Sequence, residues 1–433
     1  MIGMIKWMKT NLLPFGVIIA VVISVVLSIS VWINPYQANR IPASTSTSSA
    51  NDSITSIGSV YQANQVVVTK KDGSQQLLYN QKLNPALTIQ QALTKTKMSG
   101  LNRVANGDSG KYLDYLRMSN TVTISFPDQV STIVFNQVFD QSFDSDRIAA
   151  VNYIVVPLND SGRVYLLADQ GKKVYRVKVN DISLKTIKKS LKGGSRIDVD
   201  LKIVNGTPML SYPHEYTLPT YTYDVSQHNV DNLAQTLLAT TNSNTVDTER
   251  NGNQITYTNG NSHRMTYNRQ TGSIQYDNYL GKDQKYGQQS LESHLYRRLK
   301  KMGIDLTGIY FDTVSHAGQT VTYRSFVQGF PIFSSRNYGT ILIKSNNDGM
   351  ERYQLSNYYL GLPQPSSGTT VTMPSSAVVS NALKESGQLK KVKGMRIGYT
   401  WNNDDTETVT LEPTYYVYYN GNWVPYQTLL KEE

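Results

Sequence analysis

The chain has no cysteine among its 433 residues, and charged side chains make up only 17% of it. The absence of cysteine excludes disulfide bonds, thiolate nucleophiles, thiolate zinc sites and iron–sulfur clusters. The 30 tyrosines outnumber the 9 phenylalanines, and hydrophobic residues reach 39%, which is enough to fill sizeable cores. Aromatic and β-branched residues favour strands. We therefore expect a folded protein rich in sheets and held together by packing alone.

Histidine is also scarce, and the five histidines are scattered singly. They are His214, His228, His263, His294 and His316. No two of them have the H-E-x-x-H or His-x-His spacing that binds a metal. We interpret His294 as a satisfied, partly buried residue on the apolar stripe of a helix. The sequence contains no P-loop and no dinucleotide-binding fingerprint, so we expect no metal and no cofactor.

The motif GDSG at residues 107–110 matches the loop that carries the nucleophile of trypsin-like proteases. A nucleophilic serine needs a base, and in that family the histidine and the aspartate precede the serine. Here the first histidine, His214, follows Ser109, and Lys111 occupies the position of a second glycine. We therefore interpret the motif as a polar turn and predict that the protein is not an enzyme.

One long hydrophobic run, LLPFGVIIAVVISVVLSISVWI, occupies residues 12–33. As a helix it would be about 33 Å long, enough to cross a hydrocarbon core of about 30 Å. It exceeds the apolar region of a signal peptide, and no convincing cleavage site follows it, so we predict a retained transmembrane helix. Lys6 and Lys9 precede it. The positive-inside rule then keeps residues 1–11 in the cytoplasm and exports the rest, which predicts a single-pass protein of the cell membrane.

Small residues recur every fourth position in this run and form a ridge on one side of the predicted helix. The small-residue ridge consists of Gly16, Ala20, Ser24 and Ser28. In lipid, such ridges let a second helix approach closely and let hydroxyl groups bond across the contact. We hypothesise that the ridge contacts partner transmembrane helices. The alternative is that small residues are common in membrane spans and that these four align by chance.

The sequence pattern of the exported part predicts an α+β fold of antiparallel sheets with packed helices. In the N-terminal part, strands are predicted at 121–127, 131–139, 149–158, 162–169 and 172–179, with a helix at 87–97. Helices are also predicted at 228–240, 290–303 and from about 374 to Gly387, each followed by strands. We divide the chain into a head (1–11), a transmembrane helix (12–33), a Ser/Thr-rich stalk (34–60), an N-terminal α+β domain (61–215), a middle helix-plus-meander domain (216–285) and a C-terminal domain (286–433).

Positive charge is concentrated in residues 171–202, which contain ten Lys or Arg residues and only three Asp residues. The predicted anionic-surface patch consists of Lys172, Lys173, Lys185, Lys188, Lys189 and Lys192. It would attract anionic lipid or wall polymer, with an effect that salt screens. The alternative is a hairpin or a helix with solvated lysines. No nucleic-acid-binding motif accompanies the charge, so we do not expect nucleic acid as a partner.

Three segments resemble the YycH (WalH) family. They are LSISVWINPYQ, with Trp32, Asn34 and Pro35 just beyond the predicted membrane helix, VQGFPIFSSRNYGTILI at 327–343 and LEPTYYVYYNGNWVPY at 411–426. The family consists of membrane-anchored accessory regulators of the WalK (YycG) sensor histidine kinase in low-GC Gram-positive bacteria. The layout of head, single span and large exported part is similar over essentially the whole chain.

The resemblance implies a multi-domain α+β ectodomain whose C-terminal part is similar to the sister regulator YycI, and it implies that both proteins join the kinase at the membrane. It implies a non-enzymatic regulator of cell-wall metabolism that acts partly through its transmembrane helix, with no catalytic residues, and it leaves both activation and inhibition open. An extracytoplasmic module that binds a ligand or a wall polymer is the alternative function.

Overall fold

The first part of the chain builds a nine-stranded sheet, and most side chains of its central strands are buried on both faces. The computed structural model describes residues 56–79, 84–159, 162–238, 246–260, 263–279, 288–315, 319–346, 349–365, 368–402 and 407–430. The strands of the first sheet are β1 (Gln65–Thr69), β2 (Gln75–Tyr79), β3 (Met98–Ala105), β4 (Thr121–Ser131), β5 (Ala150–Pro157), β6 (Arg163–Ala168), β7 (Lys173–Val179), β8 (Ser195–Val204) and β9 (Thr207–Ser211). Their spatial order is β3-β7-β6-β5-β4-β1-β2-β8-β9, and all neighbours are antiparallel.

Short helices accompany this sheet. They are α1 (Ile57–Val60), α2 (Pro85–Thr94), α3 (Ser109–Leu116), α4 (Thr132–Phe139) and α5 (Leu184–Ser190). The strand predicted at 131–139 is wrong, because β4 ends at Ser131 and the apolar run that follows is α4. Its β-branched and aromatic residues have strand propensity, but Phe135, Val138 and Phe139 are buried at helical spacing, and the two phenylalanine rings stack 4.5 Å apart.

The rest of the chain forms a small sheet and a large one. Its strands are β10 (Tyr216–Pro219), β11 (Tyr221–Gln227), β12 (Asp247–Asn251), β13 (Gln254–Asn259), β14 (His263–Asn268), β15 (Ser273–Tyr279), β16 (Ile309–Ser315), β17 (Thr320–Val327), β18 (Phe330–Phe333), β19 (Thr340–Ser345), β20 (Met350–Ser356), β21 (Tyr358–Pro363), β22 (Thr370–Met373), β23 (Gly394–Trp401), β24 (Thr408–Tyr419) and β25 (Asn422–Pro425). The large sheet has the order β12-β13-β14-β15-β20-β19-β17-β18-β23-β24-β11-β21, with β16 on β17 and β25 on β24, while β10 pairs with β22. Among the described pairings, β18 and β23 are parallel and the others are antiparallel.

Helices of the second part are α6 (Val230–Leu238), α7 (Gln288–Lys301), α8 (Ser376–Glu385) and α9 (Tyr426–Leu429), with a 3-10 turn at Leu389–Lys391. They lie close to their predicted positions. Ser375 caps α8 by accepting a hydrogen bond from the Val378 N–H, and Gly303, which follows α7, has the positive φ of 69° expected for a helix-ending glycine. The α+β fold with antiparallel sheets is therefore as predicted.

The two parts of the chain share their hydrophobic cores. One core joins α2, α4 and α7 to the large sheet through Ile89, Phe135, Leu295 and Tyr353. A second joins Val67 of the first sheet to aromatic side chains of β18, β23 and β24. Residues 53–433 thus form one compact unit. The predicted domain limits at 215 and 285 stay predictions; β1–β9 all precede 215, whereas β15 pairs with β20 across 285.

Within the described ranges, no helix is long and apolar enough to cross a membrane. The head at 1–11, the predicted transmembrane helix at 12–33 and most of the predicted stalk at 34–60 lie outside the described residues. The last residues of that stalk form α1, and Val60 there is fully buried against the first core.

Candidate functional site

Of the two surfaces that the sequence predicts, the anionic-surface patch lies among the described residues and the small-residue ridge does not. The small-residue ridge, Gly16, Ala20, Ser24 and Ser28, lies outside the described residues, so partner contact through it stays a prediction. Of the anionic-surface patch, Lys185, Lys188 and Lys189 are exposed on α5, and Lys192 is exposed just after it.

The other two patch residues, Lys172 and Lys173, are half-buried at the start of β7, whose far end leads to α5. β7 has seven residues and is therefore about 23 Å long. The Lys172 Nζ donates a 2.9 Å hydrogen bond to the Asp169 carbonyl oxygen and lies 5.4 Å from the centre of the Tyr112 ring. Four of the six lysines therefore lie exposed on or next to one helix, and anionic binding by the patch stays a prediction.

The GDSG motif begins a helix. Ser109 is the exposed first residue of α3, and the Asp108 carboxylate accepts a 3.0 Å hydrogen bond from the Lys111 N–H. This is an N-cap, which satisfies one of the free amide groups of the first turn. The polar turn that the sequence predicts is thus the capped start of α3.

His294 is buried on α7, as its position on the helix stripe predicts. Its Nε2 lies 2.5 Å from Glu351 Oε1, and the Tyr353 hydroxyl donates a 2.8 Å hydrogen bond to the other carboxylate oxygen. The contacts join α7 to β20 and give His294 a structural partner. In the part of the chain that the structure describes, no three His, Asp or Glu side chains are grouped to hold a metal ion.

The strongest candidate site is a cavity of about 400 Å³ between the nine-stranded sheet and the large sheet. Its apolar lining includes Phe126 and Met209 from the first sheet and Met395, Tyr418 and Trp423 from the second. A cavity of a few hundred Å³ with apolar walls and a few polar groups is typical of small-molecule sites. Sequence reasoning missed it because the two walls come from segments about two hundred residues apart.

Beside the cavity lies the buried ion cluster, which we define as Asp128, Asp312, Arg324 and Arg396. Asp312 is fully buried and accepts hydrogen bonds of 2.8 and 3.1 Å from Arg396 and of 2.9 Å from Arg324. Burial by itself would raise the pKa of Asp312, but the two guanidinium groups outweigh it and hold that pKa below its usual value. The cluster therefore keeps a charged carboxylate in the interior of the large sheet.

The buried ion cluster also contacts aromatic rings and a strand of the large sheet. The Arg396 guanidinium lies 4.0 Å from the Trp423 ring, and that of Arg324 lies 4.4 Å from Phe333. Asp128, in the irregular part of β4, accepts a 2.9 Å hydrogen bond from the Val314 N–H of β16, and burial raises the pKa of its carboxyl to about 6. The cluster thus connects the nine-stranded sheet to the large sheet.

A second contact between the two parts of the chain involves Glu292 of α7. Its Oε2 accepts hydrogen bonds of 3.0 Å from the Ser131 N–H and 2.8 Å from the Ser131 hydroxyl, at the junction of β4 and α4. Burial raises the pKa of Glu292 to about 7 despite these hydrogen bonds, which favour its charged form.

Glu292→Gln is expected to make the stability less dependent on pH. Because the folded pKa of about 7 exceeds the unfolded value of 4.5, the stability that Glu292 contributes is complete below pH 4.5 and is lost as pH rises through 7. Between pH 5 and 8 this loss is about 2 to 3 kcal/mol. Glutamine keeps an acceptor for Ser131 and cannot ionise. Urea denaturation of the full chain in detergent at both pH values measures the difference.

The matched control for this substitution is Glu249→Gln on the exposed strand β12, which should leave the pH dependence of wild type. An equal pH dependence in Glu292→Gln and wild type would contradict the role given to Glu292.

Comparison with known proteins supports the sequence resemblance. The family model described as "YycH protein, N-terminal domain" matches residues 8–195, and "YycH protein, C-terminal domain" matches residues 210–433. No curated protein matches the chain. The crystal structure of YycH from Bacillus subtilis is similar, with a TM-score of 0.68 at 15% identity over 86% of this chain and 97% of that one.

A second solved structure, of an uncharacterized protein from Eubacterium rectale, has a TM-score of 0.32 at 15% identity over 53% of this chain and 83% of that one. This value is too low to support an argument. The solved YycH structure shares the fold, and the two domain models together cover nearly the whole sequence. The chain belongs to the YycH family.

Proposed function

We propose that this protein is a non-enzymatic, membrane-anchored regulator of a two-component sensor histidine kinase of the WalK/YycG type, which controls cell-wall metabolism. The observation that carries the proposal is the match to both YycH domains, from residue 8 to residue 433. The match to the N-terminal domain includes the hydrophobic run at 12–33, so a membrane anchor agrees with family membership.

The proposed topology has the N-terminus in the cytoplasm, one pass through the cell membrane and the bulk of the chain outside. Residues 53–433, which form one compact unit, would then be extracytoplasmic. The proposed partners are the kinase and a YycI-like sister regulator, contacted through the transmembrane helix and the extracytoplasmic part. A helix in lipid gains little from apolar burial, so close contact along small residues is the physical basis for transmembrane recognition.

Filling the small-residue ridge should disturb regulation. The triple variant Gly16→Leu, Ala20→Leu, Ser24→Leu replaces small residues with bulky ones and should hold a partner helix away. We expect kinase-dependent transcription to change several-fold, in either direction. The reason is that the variant should lose about 1 to 2 kcal/mol of helix contact. A reporter gene measures transcription, and an immunoblot of membrane fractions checks that the protein is still exported.

The matched control places three leucines on the opposite side of the same predicted helix, as Ile18→Leu, Val22→Leu and Val26→Leu. Each lies two residues, or about 200°, from a ridge residue. Unchanged transcription in the ridge variant, or an equal change in the control, would contradict the proposed contact. Because the native chain has no cysteine, a single Ala20→Cys variant also allows crosslinking to the kinase without background.

A further inference from the structure

Polar atoms without partners are concentrated on the walls of the cavity between the sheets. Within the described residues, four buried side-chain nitrogen or oxygen atoms without a hydrogen-bond partner belong to residues that line this one cavity. The four atoms are Asn64 Oδ1, Thr123 Oγ1, Arg396 Nε and Trp423 Nε1. A buried polar group without a partner is costly, so such a concentration indicates groups that are satisfied by something bound there.

The four atoms are divided by chemistry between the two walls. The oxygens of Asn64, just before β1, and of Thr123 in β4 lie on the side of the first sheet, where Thr123 pairs with Val67 and is 2% exposed. The two N–H donors, of Arg396 and Trp423, belong to β23 and β25 of the large sheet. The Nη1 and Nη2 atoms of Arg396 each donate to Asp312, whereas its Nε–H has no partner within the protein. One wall thus offers acceptors and the other offers donors.

The size and charge of the cavity restrict its ligand further. Two acidic and two basic side chains line it, Asp128, Asp169, Lys393 and Arg396, so their formal charges balance and do not select an ion. Aromatic, methionine and proline side chains supply apolar surface, as in Phe126, Met209 and Pro208. The volume of about 400 Å³ suits a molecule of small-ligand size.

We propose that this cavity binds a small neutral molecule that carries a secondary amide. An amide holds an acceptor and a donor on opposite edges of one rigid plane, which matches donors on one wall and acceptors on the other. Its carbonyl oxygen has two lone pairs, one for the Arg396 Nε–H and one for the Trp423 Nε1–H. Its N–H is shared between the Asn64 and the Thr123 oxygens, and its apolar substituents contact the methionine and phenylalanine side chains.

This site goes beyond the proposed kinase regulation, because it gives the exported part an input of its own. A ligand held by both walls connects the segment matched by the N-terminal family model to the segment matched by the C-terminal one. It would stabilise the folded chain more as its concentration rises, since ligands that bind only the folded state raise its stability. The site can be tested without the kinase, so failure of one proposal is distinguishable from failure of the other.

The test is binding of defined amide probes to the full chain in detergent, by calorimetry and by the shift of the thermal midpoint. The probes are N-acetylglucosamine and N-acetyl-alanine methylamide, which present the same amide on a sugar and on a peptide. Glucose and glycerol, which have hydroxyl groups and no amide, serve as controls. We expect saturable binding of at least one amide probe at millimolar concentration, and a rise in the midpoint that the hydroxyl controls do not give.

Two variants remove one polar atom each from the cavity. Trp423→Phe keeps an aromatic ring and removes the Nε1–H donor, and Thr123→Val keeps the shape and removes the hydroxyl. Each should weaken the amide probe on the order of three- to tenfold. The matched control is Trp401→Phe, because Trp401 Nε1 is also buried without a partner but does not line the cavity. Its affinity for the probe should equal that of wild type.

The result with the two amide probes identifies the class of ligand or overturns the proposal. Binding of the sugar alone assigns an N-acetyl sugar, binding of the peptide alone assigns a peptide, and binding of both supports recognition of the amide itself. Binding of neither up to about 10 mM, or an equal response to glycerol, overturns the proposal and leaves water as the partner of these atoms. Equal affinities of Trp423→Phe and Trp401→Phe would also overturn it.

Discussion

Asp312→Ala is expected to lower the free energy of unfolding by about 3 to 5 kcal/mol. The substitution leaves Arg324 and Arg396, whose side chains are 11% and 13% exposed, without the carboxylate that both of them contact. Neither guanidinium can lose its proton at ordinary pH, so two like charges remain buried and repel each other. Urea denaturation of the full chain in detergent, followed by far-ultraviolet circular dichroism, measures the loss.

The control for Asp312 is an ion pair in the same protein that water reaches. Asp200 Oδ2 and Lys202 Nζ are 3.6 Å apart, and both side chains are about half exposed. Asp200→Ala should therefore cost less than about 1 kcal/mol. Asp312→Asn keeps the shape and one acceptor but removes the charge, and it should also be strongly destabilising. Similar small losses for Asp312→Ala and Asp200→Ala would show that the buried ion cluster does not hold the large sheet together.

Local sequence patterns predict most elements of this fold. Strands β5, β6 and β7 and helices α6, α7 and α8 lie close to their predicted positions, because each is either an apolar run between polar turns or an apolar stripe at helical spacing. The segment 131–139 is the exception. Its composition favours a strand, whereas packing of Phe135 and Phe139 against α1, α2 and α7 stabilises a helix, and such tertiary contacts are not visible in the segment itself.

The candidate site could not be predicted in the same way, because its partners are far apart in sequence. Asp128 contacts Val314 across 186 positions, and Arg396 contacts Asp312 across 84. One signal was present: Asp312, Arg324 and Arg396 are each the single charged residue of their strand. A charged residue at an inward strand position needs a buried partner, which indicates a site but does not identify the partner.

The resemblance motif VQGFPIF has a physical explanation in one close contact between the two parts of the chain. Gln328 and Gly329, both with positive φ, form the two-residue turn between β17 and β18. The Gly329 carbonyl oxygen accepts a 3.1 Å hydrogen bond from Asn64 Nδ2, just before β1. Together with the Asp128–Val314 and Ser131–Glu292 hydrogen bonds, this turn holds the nine-stranded sheet against the large sheet. Asn64 also lines the cavity proposed to bind the amide.

Gly329→Ala is expected to lower the free energy of unfolding by about 2 to 5 kcal/mol. A side chain at its φ of 85° costs about 1 to 2 kcal/mol, because L-residues avoid this conformation. The new Cβ would also lie 2.3 Å from the Asn64 carbonyl oxygen, so backbone must move, at an additional cost of about 1 to 3 kcal/mol. Urea denaturation measures the total under the conditions used for Asp312→Ala.

Gly73→Ala separates the two costs of the Gly329 substitution. Gly73 has almost the same φ, 86°, in the turn between β1 and β2, but a Cβ there meets no atom within 4 Å. The variant should therefore lose about 1 to 2 kcal/mol from backbone strain alone. The excess loss in Gly329→Ala then measures the clash with Asn64 across the two sheets. Equal losses in the two variants would mean that the turn moves away from Asn64 at no cost, and that it does not hold the sheets together.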